Sequence, residues 1–95
     1  MVINFEQVLN YYERVVFEEV AARAGSYPDF TPDMLADAAC VALNHLPSRY
    51  VRHDVDLIFY LTAQERRAID HAMNEGLNIA FNFVAERAAK RNAAL

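Results

Sequence analysis

Arg49, Tyr50, Arg52 and His53 all fall within six residues after Pro47, and His45 stands just before it. Two guanidiniums beside a phenol ring and an imidazole make an anion-gripping set. Arginine offers a planar fork that matches phosphate and can also stack on an aromatic base. The alternative is that Arg49 and Arg52 are ordinary surface arginines, and the residue types alone leave both readings open. His45 has a plainer account, since a partly positive imidazole at a helix C-terminus interacts well with the helix dipole.

Other candidates for chemistry are weaker. His53, Asp54 and Asp56 could ligate a metal, but they sit where a polar turn is expected and where such residues serve solvation and side-chain capping. No metal and no cofactor are therefore expected. Asp70 and His71 are adjacent on a helix and point in different directions. There is no Gly-rich phosphate loop, nucleophile elbow or HExxH motif, which argues against an enzyme. Cys40 is the single cysteine, so neither an internal disulfide nor a multi-cysteine zinc site can form. Beside an apolar stripe it reads as a buried or half-buried thiol without chemistry.

The residues that must position this set belong to one short domain. The 95 residues are 55% hydrophobic with only 2 Gly and 3 Pro, which leaves no room for a long linker. A core of this size is modest, and a second subunit could supply part of the stability. The formal charge of -4 argues against direct nucleic-acid binding by the molecule as a whole. The opening MVINFEQ lacks the basic start and apolar run of a signal peptide, and no stretch reaches the ~20 apolar residues of a membrane span, so a cytoplasmic location is expected.

Three helices are predicted. In the first, Phe5, Val8, Leu9, Tyr12, Val15, Val16 and Val20 share a face, with Asn4 as N-cap and Gly25 as stop. Tyr11, Tyr12 and Phe17 widen its apolar belt, either for an oligomer contact or for packing on two other helices. The second starts at Thr31-Pro32-Asp33, a cap followed by a first-turn proline and an acid at the positive end of the dipole. Its stripe of Leu35, Ala38, Ala39, Ala42, Leu43 and Leu46 is rich in alanine, which lets another helix approach closely. Pro47 ends it near His45.

Residues 50–52 and 57–61 then favour extended structure around the polar 53–56, as one or two short strands or an arm. The third helix opens on Thr62-Ala63-Gln64-Glu65, a capping box, and buries Ile69, Ala72, Met73, Gly76, Leu77, Ala80, Phe81 and Val84. Gly76 costs ~1 kcal/mol inside a helix relative to Ala, so either close packing at an interface or a kink should accompany it. Residues 86–95 are expected to fray. The fold class is mainly α: a small three-helix domain spanning 1–95, core about 4–84, with a short extended or β-hairpin segment between helices 2 and 3.

The run from Leu35 through Asp37, Ala42-Leu43-Asn44-His45-Leu46-Pro47-Ser48-Arg49-Tyr50 to Val51 resembles the hallmark of the late competence development protein ComFB family. Asn10-Tyr11-Tyr12-Glu13, Val16-Phe17-Glu18-Glu19 and Arg52-His53-Asp54-Val55-Asp56 leading to Phe59-Tyr60-Leu61 also fit. Ser48 stands where the family usually has a second proline. GSYPDFTPDM lacks the cysteine cluster that binds zinc in some members, so no zinc is carried over.

The resemblance implies a small, helical, homodimeric protein without enzymatic activity. Some members are receptors for cyclic di-nucleotides, particularly cyclic di-GMP, in competence, motility or pilus-related regulation. On that analogy Arg49, Tyr50, Arg52, His53 and His45 are candidate ligand contacts, with the arginines on phosphates and Tyr50 on a guanine face. Asp37, Asn44 and Pro47 are candidate supports of the turn. A downstream regulatory protein is a further expected partner. The alternative is a homodimeric scaffold with no nucleotide ligand, using the apolar 57–61 arm as its contact.

Overall fold

The computed structural model describes residues 1–93, apart from the side chains of Asp54, Asp56 and Ile58. A 3-10 turn at Phe5–Gln7 leads into β1 (Leu9–Asn10), α1 (Tyr11–Arg23) and a second 3-10 turn at Ala24–Ser26. There follow α2 (Pro32–His45), β2 (Tyr50–Val51), α3 (Asp54–Tyr60) and α4 (Ala63–Ala93). The three predicted long helices are α1, α2 and α4, and the fold is mainly α.

Local chemistry sets the boundaries. Thr31 Oγ1 accepts from Met34 N at 3.2 Å and opens α2. Thr62 Oγ1 accepts from Glu65 N at 3.1 Å and opens α4. Pro47 has no N–H to give a continuing helix, and Leu46 leaves α2 in an extended conformation (φ -90, ψ 142).

Helix α1 begins later than predicted. Asn4 does cap, but only the 3-10 turn, accepting from Glu6 N at 2.9 Å. Asn10 is the cap of α1, and its Oδ1 accepts from Tyr12 N at 3.3 Å. The helical spacing of Phe5, Val8 and Leu9 is therefore not a buried face; all three are exposed.

The predicted extended segment is corrected in its partner and its length. β2 pairs antiparallel with β1 (Leu9 with Val51, Asn10 with Tyr50) and not with residues 57–61. Residues 54–60 form α3 instead of a turn and strand. A continuous apolar run such as Leu57 to Tyr60 fits a strand or a helix equally well, so β-propensity alone misassigned it. The end expected to fray is helical through Ala93. Glu86, Arg87, Ala88, Ala89 and Lys90 are good helix formers, and Lys90 and Arg91 suit the negative end of the dipole.

The core lies between α1, α2 and α4. It contains Tyr12, Val16 and Val20 from α1, Ala38, Ala39, Ala42 and Leu46 from the α2 segment, and Leu77, Ala80, Phe81 and Val84 from α4. Phe81, Leu77 and Val16 are the largest side chains fully out of water, each contributing about 1.5–3 kcal/mol by burial. Tyr27 and Phe30, in the SYPDF link, cover Phe81 with ring centroids 4.5 and 5.3 Å away.

The alanine stripe does bring α2 and α4 together. A Cβ added to Gly76 would lie 3.6 Å from Leu46 Cγ and 3.9 Å from the Ala42 carbonyl oxygen. Close packing within the chain accompanies the glycine, at ordinary van der Waals distance. Arg23 ties α1 to α4, donating to Asn78 Oδ1 at 2.8 Å and Asn74 Oδ1 at 2.9 Å. No described helix is long and apolar enough to cross a membrane.

Candidate functional site

At Pro47 the chain has left α2 in an extended conformation, and its N–H and C=O groups need other partners. They find them at the start of α1. Tyr11 N donates to the Arg49 carbonyl at 2.6 Å, and Arg49 N donates to Asn10 Oδ1 at 3.0 Å. One amide oxygen therefore caps α1 and holds Arg49, and the β1–β2 pair extends the tether through Tyr50 and Val51.

Fixed in this way, Arg49, Tyr50, Arg52 and His53 line one cleft of about 580 Å³, together with Leu57 and Tyr60 of α3. These four are exposed, with Tyr50 at 69% of its full accessibility. The Arg52 guanidinium donates from Nε to His53 Nε2 at 3.3 Å. As an acceptor in that contact, Nε2 carries no proton.

The cleft also reaches the core electrostatically. Burial pushes the Tyr12 phenol above its ordinary 10.0, the Arg49 charge pulls it part of the way back, and Tyr11 adds a smaller upward push. The arrangement offers two fixed cations, two flat aromatic faces and an imidazole in a shallow groove. Such a groove can pair with phosphates and stack on a ring; among the described residues it contains no activated nucleophile or paired acid and base.

The remaining predicted residues lie elsewhere. His45 is the last residue of α2, exposed and outside the cleft, where it complements the helix dipole. Asn44 Nδ2 contacts Cys40 Sγ at 3.8 Å, one turn back along α2. Asp37 is exposed and lines a separate groove against the end of α4. Pro47 does end α2, while the side chain seen holding the turn is Asn10. Cys40 is exposed, which corrects the expectation of a buried or half-buried thiol: it sits on the outer edge of α2 and not on the stripe. Of the metal set His53, Asp54 and Asp56, the two aspartate side chains lie outside the described residues. Among the described residues no group of three metal-binding side chains occurs.

Leu57, Tyr60 and Asn10 are the site residues that sequence reasoning missed. Had 54–60 been read as a helix, the spacing of His53, Leu57 and Tyr60 would have put all three on one face. Asn10 entered only as part of the Asn10-Tyr11-Tyr12-Glu13 stretch; its bond to Arg49 joins distant parts of the chain and has no local signal.

A family model described as Late competence development protein ComFB matches residues 9–88. No curated protein and no solved structure matches the chain.

Proposed function

Because the chain belongs to the late competence development protein ComFB family, whose members are non-enzymatic regulators, we propose that it is a regulatory receptor for a cyclic di-nucleotide. The ligand favoured is cyclic di-GMP, and the outputs implied are competence, motility or pilus regulation through a downstream protein. The observation that carries this reading is the cleft in which Arg49, Tyr50, Arg52 and His53 meet. A cyclic di-nucleotide carries two phosphates and two purine faces. Arg49 and Arg52 pair with phosphate, and Tyr50 and Tyr60 stack on a purine. A homodimer would offer two such clefts to a nearly two-fold ligand.

A second reading has its own support. Phe59 and Tyr60 on α3 are 81% and 77% exposed, a strong apolar offering for so small a chain. On that reading the protein is a scaffold that meets another protein through α3 and takes no nucleotide.

Calorimetric titration of cyclic di-GMP, cyclic di-AMP and GTP into the protein and an Arg49→Ala variant separates the two. The receptor reading expects heat with a cyclic di-nucleotide and its loss in the variant. Null heats for all three ligands at roughly 100 µM protein, where micromolar binding would be saturated, leave the scaffold reading. Unchanged binding in the variant removes Arg49 from the site.

A further inference from the structure

Helices α2 and α4 run antiparallel. Near the end of α2 they touch, where a Cβ added to Gly76 would lie 3.6 Å from Leu46 Cγ. Toward the start of α2 a cleft of about 510 Å³ opens between residues 31–41 and 83–91. Met34, Val41 and Val84 give it an apolar lining. Asp33 and Asp37 stand on its α2 side, one turn apart, and Arg87 and Arg91 on its α4 side with the same spacing. Among the described residues no ion pair joins the two sides, so all four charges are open to a third party.

The α4 side is the basic end of an acidic molecule. Arg87, Lys90 and Arg91 against Glu86 give residues 83–93 a charge of +2, which leaves -6 on the rest of a chain whose total is -4. Phe83, Arg87, Lys90 and Arg91 recur at i, i+4, i+7 and i+8 and so share one face. The four line an open hollow of about 490 Å³ that adjoins the cleft. Val84 is the last buried residue of α4, yet the helix runs on to Ala93, about 13 Å further. The helix dipole accounts for Lys90 and Arg91 in the last turn. It does not account for Phe83, 43% exposed with the Arg87 guanidinium 5.6 Å from its ring centroid. Aromatic rings and guanidiniums are the side chains enriched in protein interfaces.

We propose that the cleft and this stripe dock a segment of a partner protein that carries carboxylates and an apolar side chain. Its carboxylates pair with Arg87, Lys90 and Arg91, and its apolar side chain lies on Phe83, Val41 and Met34. Asp33 and Asp37 select against a nucleic-acid strand, whose continuous phosphate charge they repel, and they accept N–H donors of a polypeptide. The inference goes beyond the receptor reading by giving a downstream protein its face. It rests on charge placement and cleft shape and holds whether or not a nucleotide binds.

The probe is a fluorescein-labelled peptide of glutamates and two leucines, about twelve residues long so that it spans the stripe as a helix. Anisotropy at roughly 50 mM salt, where surface charge is lightly screened, is expected to show binding with a Kd below about 500 µM that weakens as salt is added. The same peptide with glutamine for glutamate, and a single-stranded DNA of equal charge, should each bind about tenfold more weakly or worse. Arg87→Glu/Arg91→Glu should lose the acidic peptide and gain its lysine counterpart. Arg87→Gln/Arg91→Gln, which removes charge without reversing it, should also lose the acidic peptide. Phe83→Ala should weaken it by about tenfold, the cost of an interface anchor. Far-UV circular dichroism verifies that each variant stays helical. No binding of the acidic peptide overturns the proposal, as does a DNA strand that binds as well, or undiminished peptide binding in both arginine variants. A change of mass by light scattering in either arginine variant would assign the stripe to contact between copies and overturn it too. No arm contains nucleotide, so failure of the receptor reading leaves these results unaffected.

Discussion

The helical body and the cleft meet at Pro47, and they are held by different forces. On one side α1, α2 and α4 bury an all-apolar set of side chains around Phe81 and Leu77, with no buried charge among the described residues. On the other, Arg49 to His53 are exposed or half-exposed and owe their position to backbone bonds and one asparagine. The body is therefore sensitive to volume and intolerant of a buried charge. The cleft is free to vary its side chains at little cost to the fold, provided its tether stays. A binding surface can be tuned on such terms without remaking the scaffold.

The contrast can be tested by substitution. Phe81→Ala should be the most damaging, because it removes a ring out of water beneath Tyr27 and Phe30. A loss of about 3–5 kcal/mol is expected in urea unfolding, enough to unfold a small domain. A loss under about 1 kcal/mol would mean that the site collapses easily and the body is not tightly packed.

Asn10→Ala comes next, at about 1–2 kcal/mol, since it takes away a helix cap and leaves Arg49 N without its acceptor. Its distinguishing mark is locality: amide exchange should speed up at Tyr12, Arg49 and Tyr50 and stay slow at Leu77. Uniform acceleration would show that the tether and the body unfold as one unit.

Tyr12 links the two regions and gives a pH-dependent test. Its phenol is raised in the folded state, so the unfolded chain ionises first as pH climbs past 10.0. The folded state then binds more protons than the unfolded one, and stability falls with rising pH. Thermal melts above about pH 10 should therefore drop less steeply in Tyr12→Phe than in the parent. Identical slopes would show that the hydroxyl is solvated. The smallest effect belongs to Arg49→Ala, which should change stability by no more than about 0.5 kcal/mol, as at other exposed positions. A larger loss would make Arg49 part of the scaffold and blur the contrast.

How much of this was legible beforehand follows the same division. The helix signals of Thr31-Pro32-Asp33, Pro47 and Thr62 are local and strong, and each set its boundary where expected. The stripes of α2 and α4 are periodic and named the core residues in both helices. The start of α1 was not legible, because Phe5, Val8 and Leu9 keep helical spacing in a segment that pairs as a strand. Nor was α3: the run Leu57 to Tyr60 carries β-formers and yet folds as a helix. Arg49, Tyr50, Arg52 and His53 sit close together in the sequence, so their grouping was plain. What faces them across the cleft was not, since Tyr60 arrives there only through the helical turn of α3.

The pairing of Leu9 with Val51 has a kinetic meaning. It closes a loop that contains all of α1 and α2, so the chain gains little from it until those helices have docked and shortened the search. The cleft wall is thus a late product of folding, assembled on a body already formed. A ligand that needs this wall meets only finished molecules. Its binding would stabilise the completed state by mass action and leave the early collapse untouched.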